Sequence, residues 1–206
     1  MKRAVVISAG SIKDYSFYKD KIRDDDFIIC ADGGLTHAKN LNLTPNLIVG
    51  DFDSFLGEIP KNVEVIKLDY EKDFTDTNIA VDEALKRGFL NILLIGAAGT
   101  RLDHTLANIE LLKRICDYGG HGEILCEKNQ ILICKDQLKI YGKGDTVSLL
   151  PMTDEVYGVT LWGFKYPLCD YTMKKGTPIG VSNVLLEDEG VIKIKAGLLL
   201  VIKSKD

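Results

Sequence analysis

Over the first 118 residues, short apolar runs alternate with segments of helical periodicity, and no other feature of the sequence constrains the fold as strongly. Between Thr75 and Arg87, apolar residues recur at spacings of three and four, which is typical of a helix with one buried face. A further helix is predicted at Leu102–Tyr118. Short apolar strands separated by helices predict a Rossmann-like α/β domain, a parallel sheet with helices on both faces. The predicted strands are Arg3–Ser8, Phe27–Ala31, Asn46–Gly50, Val63–Leu68 and Asn91–Ile95.

Near Gly119–Gly122 the pattern changes to a succession of short β-rich runs separated by Gly, Pro or Asp. Runs of this length and spacing are typical of a sandwich or a barrel. We therefore predict two domains, an α/β domain over residues 1–122 and an all-β domain over residues 123–206. The predicted strands of the second domain are Glu123–Cys126, Gln130–Cys134, Leu138–Tyr141, Thr146–Leu150, Val156–Leu161, Val191–Lys195 and Leu198–Lys203.

Composition argues against several functional classes. The chain has 206 residues, 46% of them hydrophobic, and its 26 basic and 30 acidic residues give a net charge of −4. A protein that binds duplex nucleic acid needs an excess of phosphate-neutralising cations, so no nucleic-acid partner is expected. No apolar run approaches the length of about 18 residues that a membrane span needs, and the run after Arg3 is too short for a signal peptide. The five cysteines are widely spaced without a C-x-x-C pair, which favours thiols in a reducing cytoplasm over disulfides or a metal cage.

Two carboxylates follow the third predicted strand. Residues i and i+2 of an extended chain project to the same side, so Asp51 and Asp53 are expected to converge. Such a pair either repels or shares a cation, and oxygen ligands suit Mg²⁺. Ligands of open α/β sheets bind beyond the carboxyl ends of the strands, where this pair falls. The alternative is an Asx-turn that only ends the strand.

Four acidic residues crowd the eight-residue stretch between the fourth strand and the next helix. Asp73 and Asp76 are expected on one side of the first helical turn, with Thr75 as a candidate N-cap. Acidic residues at this place also stabilise the helix dipole without forming any site. Lys72 is either their salt-bridge partner or a phosphate ligand.

The segment after the fifth strand, Gly96–Gly99, consists of small residues and leads into a helix. Small residues let a polyanion approach the backbone, and the N–H groups at the helix start can bind it. Arg101 adds a guanidinium suited to phosphate. The structural alternative makes Asp103 an N-cap and His104 a surface residue. Asp32-Gly33-Gly34, after the second strand, repeats the arrangement of strand, Asp and Gly.

Four strand ends thus bring carboxylates, glycines and cations to one edge of one sheet, near Asp32, Asp51, Asp73 and Arg101. Carboxylates that bind Mg²⁺ and cations that bind phosphate oxygens are the components of a phosphoryl- or nucleotidyl-transfer site. From the residues alone, the sequence predicts Mg–nucleotide chemistry with an unidentified acceptor.

Five motifs, in the same order along the chain, resemble those of the thiamine pyrophosphokinase family. Gly50–Ser54 resembles the family's G-D-x-D-S, Lys72–Asp76 its K/Q-D-x-T-D, and Gly99–His104 its G-x-R-x-D-H. In the β-rich half, Gly163–Leu168 is similar to G-x-K-Y-P-L, and Gly180–Asn183 is similar to G-x-S-N. The resemblance extends over nearly the whole chain.

The resemblance implies a catalytic α/β domain that binds ATP and Mg²⁺, followed by a β-sandwich that binds thiamine. It also implies a homodimer whose active site is shared between subunits. The implied reaction transfers the β,γ-pyrophosphoryl group of ATP to the hydroxyl of thiamine and releases AMP. Ser182 and Asn183 would contact thiamine. The implied ATP-binding residues are Asp32, Gly33, Gly34, Lys72, Arg101 and His104.

The implied catalytic group combines metal ligands, a cation and a proton acceptor. Asp51, Asp53 and Asp76 would hold Mg²⁺ on the triphosphate. Arg101 would stabilise charge on the equatorial oxygens, together with Lys72 if that side chain turns inward. The acceptor of the hydroxyl proton is left open, and the candidates are Asp73, Asp76 and Asp103.

Three other functions fit parts of the sequence. A pyrophosphokinase acting on a hydroxymethyl pterin would need the same acidic edge and a different β-domain surface. A glycosyltransferase would use Asp51 and Asp53 to hold a metal–nucleotide sugar, which leaves Arg101 and the β-domain unexplained. A non-catalytic nucleotide or thiamine sensor would gain little from so many carboxylates near an anionic ligand.

Overall fold

The computed structural model describes residues 2–51, 62–68, 73–99 and 101–205. The chain divides into two compact units, Met1–Glu127 and Lys128–Asp206. Asp53 and Lys72, both predicted as site residues, lie outside the described residues.

The described part of the first unit contains six strands, all paired in parallel. Their order in the sheet is sixth, fifth, first, second, third, fourth. The first and fifth strands are therefore neighbours. After the first strand the chain adds strands towards one edge of the sheet, and after the fifth it adds a strand towards the other edge. Such a switch point leaves a crevice at the carboxyl ends of the two strands. The strands are β1 (Arg3–Ile7), β2 (Phe27–Ala31), β3 (Leu47–Gly50), β4 (Glu64–Lys67), β5 (Asn91–Ile95) and β6 (His121–Leu125).

Helices cover both faces of this sheet, as predicted. They are α1 (Ser16–Lys19), α2 (Gly34–Asn40), α3 (Asp76–Lys86) and α4 (Leu102–Asp117). Leu35 and Ala38 of α2 pack on the face that Ile7 of β1 occupies. Successive residues of a strand point to opposite faces, and Ser8, which follows Ile7, bonds to Thr77 of α3. The helix α3 therefore lies on the opposite face, where it packs against β1, β2, β3 and α4.

The start of α3 differs from the sequence expectation in one respect that matters for the site. The Thr75 hydroxyl accepts a hydrogen bond from the Asn78 amide at 3.2 Å, so the predicted N-cap is confirmed and the helix begins at Asp76. Asp73 lies before the cap and outside the helix. The expectation that Asp73 and Asp76 share the first helical turn is therefore wrong.

The second unit forms a β-sandwich around its own core. Its strands are β7 (Asn129–Cys134), β8 (Gln137–Tyr141), β9 (Thr146–Pro151), β10 (Glu155–Trp162), β11 (Tyr171–Lys174), β12 (Asn183–Val184), β13 (Glu189–Lys193) and β14 (Leu199–Ser204). One group of antiparallel strands has the order β12-β9-β14-β7, and a separate sheet has the order β11-β10-β13-β8. Val147 and Val201 from the first group share a buried cluster with Leu161 and Ile192 from the second.

Three segments differ from the predicted elements. The run Glu123–Cys126, expected to open the second domain, lies largely within β6 and pairs in parallel with β5. The first compact unit accordingly extends to Glu127. The strands β11 and β12 were not predicted: β12 has only two residues, and in the four-residue β11 only Met173 is buried, so neither shows an alternating pattern. In the described residues, no helix combines the length and the apolarity that crossing a bilayer requires.

Candidate active site

A cavity of about 330 Å³ opens at the carboxyl ends of β1 and β5, at the switch point of the sheet. Two walls are the segments that follow these strands, Ser8–Ser11 and Gly96–Gly99. The remaining lining residues come from the end of β2 and the first turns of α3 and α4. They are Asp32, Thr75, Asp76, Thr77, Arg101, His104, Thr105 and Asn108.

The two glycine-containing walls touch each other backbone to backbone. The Gly10 amide donates to the Gly96 carbonyl at 2.7 Å, and a Cβ added at Gly10 would lie 2.3 Å from that oxygen. Gly96 has a φ of +62°, and a Cβ there would lie 2.4 Å from the Ser8 carbonyl oxygen. Only glycine fits at both positions. The cavity is thus lined on this side by backbone groups, which suits the close approach of a polyanion.

Buried side chains tie the helices to these walls. The Thr77 hydroxyl donates to the Ser8 hydroxyl at 3.0 Å, and the side-chain amide of Asn108 donates to the Ala97 carbonyl at 2.6 Å. Thr77 and Asn108 are both buried, so these bonds are shielded from water. They hold the first turns of α3 and α4 against the strand ends and so fix the shape of the cavity.

Two carboxylates line the cavity, and a third stands at the neighbouring strand end. Asp32 has a φ of +44°, and its amide donates to the Val49 carbonyl at 2.8 Å. This bond places Asp32 beside the end of β3, after which Asp51 follows. Asp76 reaches the cavity from the first turn of α3. Asp73 is exposed and lines a separate groove between α3 and α4.

Gly33 and Gly34, predicted as ATP contacts, have a packing role in the structure. Gly33 precedes α2 and Gly34 is its first residue, and neither lines the cavity described above. A Cβ at Gly34 would lie 1.9 Å from the Ile7 carbonyl oxygen. The glycine therefore allows the start of α2 to lie directly on β1.

The donors at the cavity fit a magnesium ion that is shared with a nucleotide. In the described part of the chain, no three His, Cys, Asp or Glu side chains gather closely enough to hold a metal on their own. Mg²⁺ at nucleotide sites usually takes one or two carboxylates and completes its shell with phosphate oxygens and water. Asp32 and Asp76 supply two carboxylates to one cavity, and Asp51 is adjacent.

Arg101 and Asp103 form a bidentate ion pair at the start of α4. The guanidinium donates to both carboxylate oxygens of Asp103, at 2.6 and 3.3 Å. These bonds lower the pKa of Asp103 to about 2, so its carboxylate is a weak proton acceptor. The N-cap position is Arg101, and it makes no side-chain cap. The structural alternative with Asp103 as N-cap is therefore wrong, because that residue lies within the helix.

In the second unit, the predicted thiamine residues differ in exposure. Asn183 is buried, and its side chain accepts from the Tyr166 amide at 3.0 Å and donates to the Tyr166 carbonyl at 2.8 Å. Ser182 is exposed, has a φ of +58° and donates its amide to the Ser148 hydroxyl at 3.1 Å. Asn183 thus holds the backbone of an exposed tyrosine, while the Ser182 side chain lies on the surface.

Several lining residues were absent from the sequence expectations. They include Ser8 and Gly10 after β1, Thr77 on α3 and Asn108 on α4. A usable signal existed for the first two, because Ser8–Ser11 is a run of small residues after a buried strand, like Gly96–Gly99. Thr77 and Asn108 lie inside helices, and nothing in the local sequence distinguishes them from other buried polar residues.

The fold and the cavity define a class of protein. It is an α/β protein with a cavity at the switch point of its parallel sheet, where nucleotides commonly bind, and a β-sandwich follows in the sequence. The sequence matches two family models, "Thiamin pyrophosphokinase, catalytic domain" over residues 18–119 and "Thiamin pyrophosphokinase, vitamin B1 binding domain" over residues 129–199. A curated relative, thiamine pyrophosphokinase of Bacillus subtilis (strain 168), is 29% identical over 223 residues, which covers 100% of both chains.

Solved structures agree with these matches. The crystal structure of thiamine pyrophosphokinase from Bacillus subtilis superposes with a TM-score of 0.90 at 25% identity, covering 100% of both chains. That of thiamin pyrophosphokinase from Geobacillus thermodenitrificans gives 0.85 at 28% identity, covering 100% of this chain and 98% of the other. The chain belongs to the thiamin pyrophosphokinase family. It is an enzyme whose reaction is that of the family, pyrophosphoryl transfer from ATP to thiamine.

Proposed function

We propose that ATP binds in the cavity between the ends of β1 and β5 and that its pyrophosphoryl group is transferred there to thiamine. The observation that carries this proposal is the cavity itself, which combines a glycine-lined wall with the carboxylates of Asp32 and Asp76. The wall suits a polyphosphate, and the carboxylates suit the cation that accompanies it. The units 1–127 and 128–206 would be the catalytic and the thiamine-binding domains.

The metal would be Mg²⁺, held by Asp51, Asp53 and Asp76. Asp32, which lines the same cavity as Asp76, would face the bound cation as a further carboxylate. The place of Asp76 in the cavity supports its role, and the strand end beside Asp32 supports that of Asp51. The assignment of Asp53 rests on the sequence motif. When bound, Mg²⁺ would neutralise charge on the phosphate oxygens and align them.

In the proposed step, the hydroxyl oxygen of thiamine attacks the β-phosphorus of ATP. The bond from that phosphorus to the oxygen bridging to the α-phosphate breaks, AMP leaves, and the hydroxyl proton passes to a carboxylate. Of the three candidates, Asp76 is the one that lines the cavity, and it would accept the proton on the carboxylate oxygen that does not hold the metal. Asp73 lines a different groove, and the low pKa of Asp103 makes it a poor acceptor.

Arg101 and His104 would contact the triphosphate from the start of α4, since both line the cavity. Arg101 is paired with Asp103, but both side chains are largely exposed, so this ion pair holds the guanidinium only weakly. The guanidinium would therefore exchange Asp103 for the phosphate oxygens when ATP binds and stabilise their charge. Lys72 would act with Arg101 and His104, and its assignment rests on the sequence motif alone.

Thiamine would bind on the second unit against Ser182 and the exposed Tyr166, whose backbone Asn183 holds in place. We further propose a cytoplasmic homodimer in which each active site combines the cavity of one subunit with the thiamine surface of the other. The family resemblance supports this arrangement.

The test is one incubation of the purified protein with ATP, Mg²⁺ and thiamine, with nucleotides and thiamine species separated by chromatography. Equal amounts of AMP and thiamine diphosphate, both absent when a chelator removes Mg²⁺, are expected. ADP with thiamine monophosphate would retain the site but contradict pyrophosphoryl transfer. Consumption of a hydroxymethyl pterin in place of thiamine would contradict the proposed acceptor.

A further inference from the structure

His37 does not line the cavity, but it contacts the backbone of Gly10, a residue that does. His37 lies on α2, and its Nε2 is 2.7 Å from the carbonyl oxygen of Gly10. Its Nδ1 is 2.8 Å from the Tyr15 hydroxyl, which also accepts from the Asn40 side-chain amide at 2.8 Å.

These contacts define the protonation state of the ring. A carbonyl oxygen can only accept, so Nε2 must carry a proton. Nδ1 is then satisfied by accepting from the Tyr15 hydroxyl, and the neutral imidazole fulfils every bond of the chain. Burial lowers the pKa of His37 below its ordinary value, which favours the same neutral form.

The bond from His37 also orients the next amide. The Gly10 carbonyl and the Ser11 N–H belong to one planar trans peptide unit and point in opposite directions. Holding the carbonyl towards α2 therefore turns the Ser11 N–H away from α2, and Ser11 lines the cavity. The Gly10 amide is fixed separately by its bond to Gly96.

We propose that His37 is a positioning residue for the nucleotide, which acts by fixing the Gly10–Ser11 peptide so that the Ser11 N–H faces a phosphate oxygen. This inference rests on the proposed binding of ATP in the cavity. It assigns His37 no contact with either substrate. Tyr15 and Asn40 support the ring and keep the Nε2–H tautomer in place.

The first test compares His37→Leu with His37→Gln by steady-state kinetics. Leucine cannot hold the carbonyl, and the KM for ATP is expected to rise about tenfold, as for loss of one hydrogen bond, with kcat and the KM for thiamine near wild type. The glutamine amide can donate to Gly10 and accept from Tyr15, so it should restore most of the affinity. An unchanged KM for ATP in a folded His37→Leu protein would overturn the proposal.

A matched control separates positioning from a general effect of removing a histidine. His121 is an exposed histidine on β6 that does not line the cavity. His121→Leu should keep the wild-type KM for ATP, because it removes no bond to the cavity wall. A KM for ATP raised equally in His121→Leu and His37→Leu would contradict the inference.

A measurement without turnover keeps this inference distinct from the proposed function. Long-range ¹H–¹⁵N spectra of the wild-type histidines should show His37 as the Nε2–H tautomer at pH 7.5, with its signal shifting on addition of ATP and Mg²⁺. An Nδ1–H tautomer would overturn the inference even if every variant failed to fold. The protein could instead show the expected tautomer and form no thiamine diphosphate. That result would support the hydrogen bond between His37 and Gly10 and would refute the proposed function.

Discussion

The buried Asn183 side chain is hydrogen-bonded to the backbone of two other residues. Its oxygen accepts from the amides of Tyr166 and Val184, and its nitrogen donates to the Tyr166 carbonyl. Leaving these partly buried backbone groups unpaired would cost more than the net value of the bonds. The neighbouring Ser182 has an exposed side chain and no comparable structural role.

Asn183→Ala and Ser182→Ala are therefore expected to act differently. The first should lower the free energy of unfolding by about 1–3 kcal/mol, because it leaves partly buried backbone groups without their partner. The second should change stability by less than about 0.5 kcal/mol and raise the KM for thiamine. Thermal unfolding together with thiamine kinetics checks both. Equal unfolding temperatures for the two variants would contradict the structural role of Asn183.

Individual residue roles were only partly predictable from sequence. Asp32, Asp76 and Arg101 were expected at the site, and all three line the cavity. The place of Asp73 was missed although Thr75 was named as the candidate N-cap, because a cap at Thr75 leaves Asp73 two residues before the cap and outside the helix. His37 could not be found at all, since its role depends on a contact between segments 27 residues apart.

At the scale of elements, the close approach of the segments after β1 and β5 depends on glycine. Gly96→Ala combines an unfavourable φ of +62° with a contact of 2.4 Å to the Ser8 carbonyl oxygen. The expected loss of stability is about 2–5 kcal/mol, the sum of left-handed strain and overpacking. ATP affinity should fall as well, because the two walls of the cavity are forced apart.

Gly88→Ala is the matched control for this prediction. Gly88 has a φ of +82° after the end of α3, and a Cβ there would meet nothing within 4 Å. Strain alone is expected to cost about 1–2 kcal/mol, with ATP affinity unchanged. Chemical denaturation and calorimetric titration with ATP measure both variants. Similar losses in the two would show that the contact at Gly96 is unimportant.

The elements themselves were largely predictable where hydrophobic periodicity was strong. The strands β2 and β5 have the predicted bounds, while α3 is shorter than predicted by one residue at each end and α4 by one residue at its carboxyl end. Assignment to a sheet was harder, because β6 reads as a β-rich run and only its parallel pairing with β5 places it in the first sheet. Short strands such as β12 gain their structure from a partner, and a period of two cannot be read from two residues.

The whole molecule separates its chemistry between two units. The cavity is lined entirely by residues between Ser8 and Asn108, and the residues assigned to thiamine lie between Tyr166 and Asn183. The change in patterning near Gly119–Gly122 predicts this division, because a parallel sheet and a sandwich have different sequence periods. How subunits share a site is not encoded in such a pattern.

A shared active site can be tested by mixing subunits. Asp76→Asn inactivates the cavity, and Ser182→Lys places a cation on the surface proposed for cationic thiamine. Random mixed dimers should regain about a quarter of wild-type activity, because half of the dimers contain one intact site of two. Each variant alone should remain inactive. No recovery on mixing, with heterodimers present by native mass spectrometry, would contradict a site shared between subunits.

The central claim, that pyrophosphoryl transfer takes place at the cavity between β1 and β5, is tested most directly by comparing Asp76→Asn with Asp73→Asn. The two residues belong to one motif and carry the same carboxyl group, but only Asp76 lines the cavity. The account predicts that thiamine diphosphate formation falls at least about 100-fold in Asp76→Asn. It predicts a change within about twofold in Asp73→Asn, an exposed substitution. Full activity in a folded Asp76→Asn protein would contradict the account.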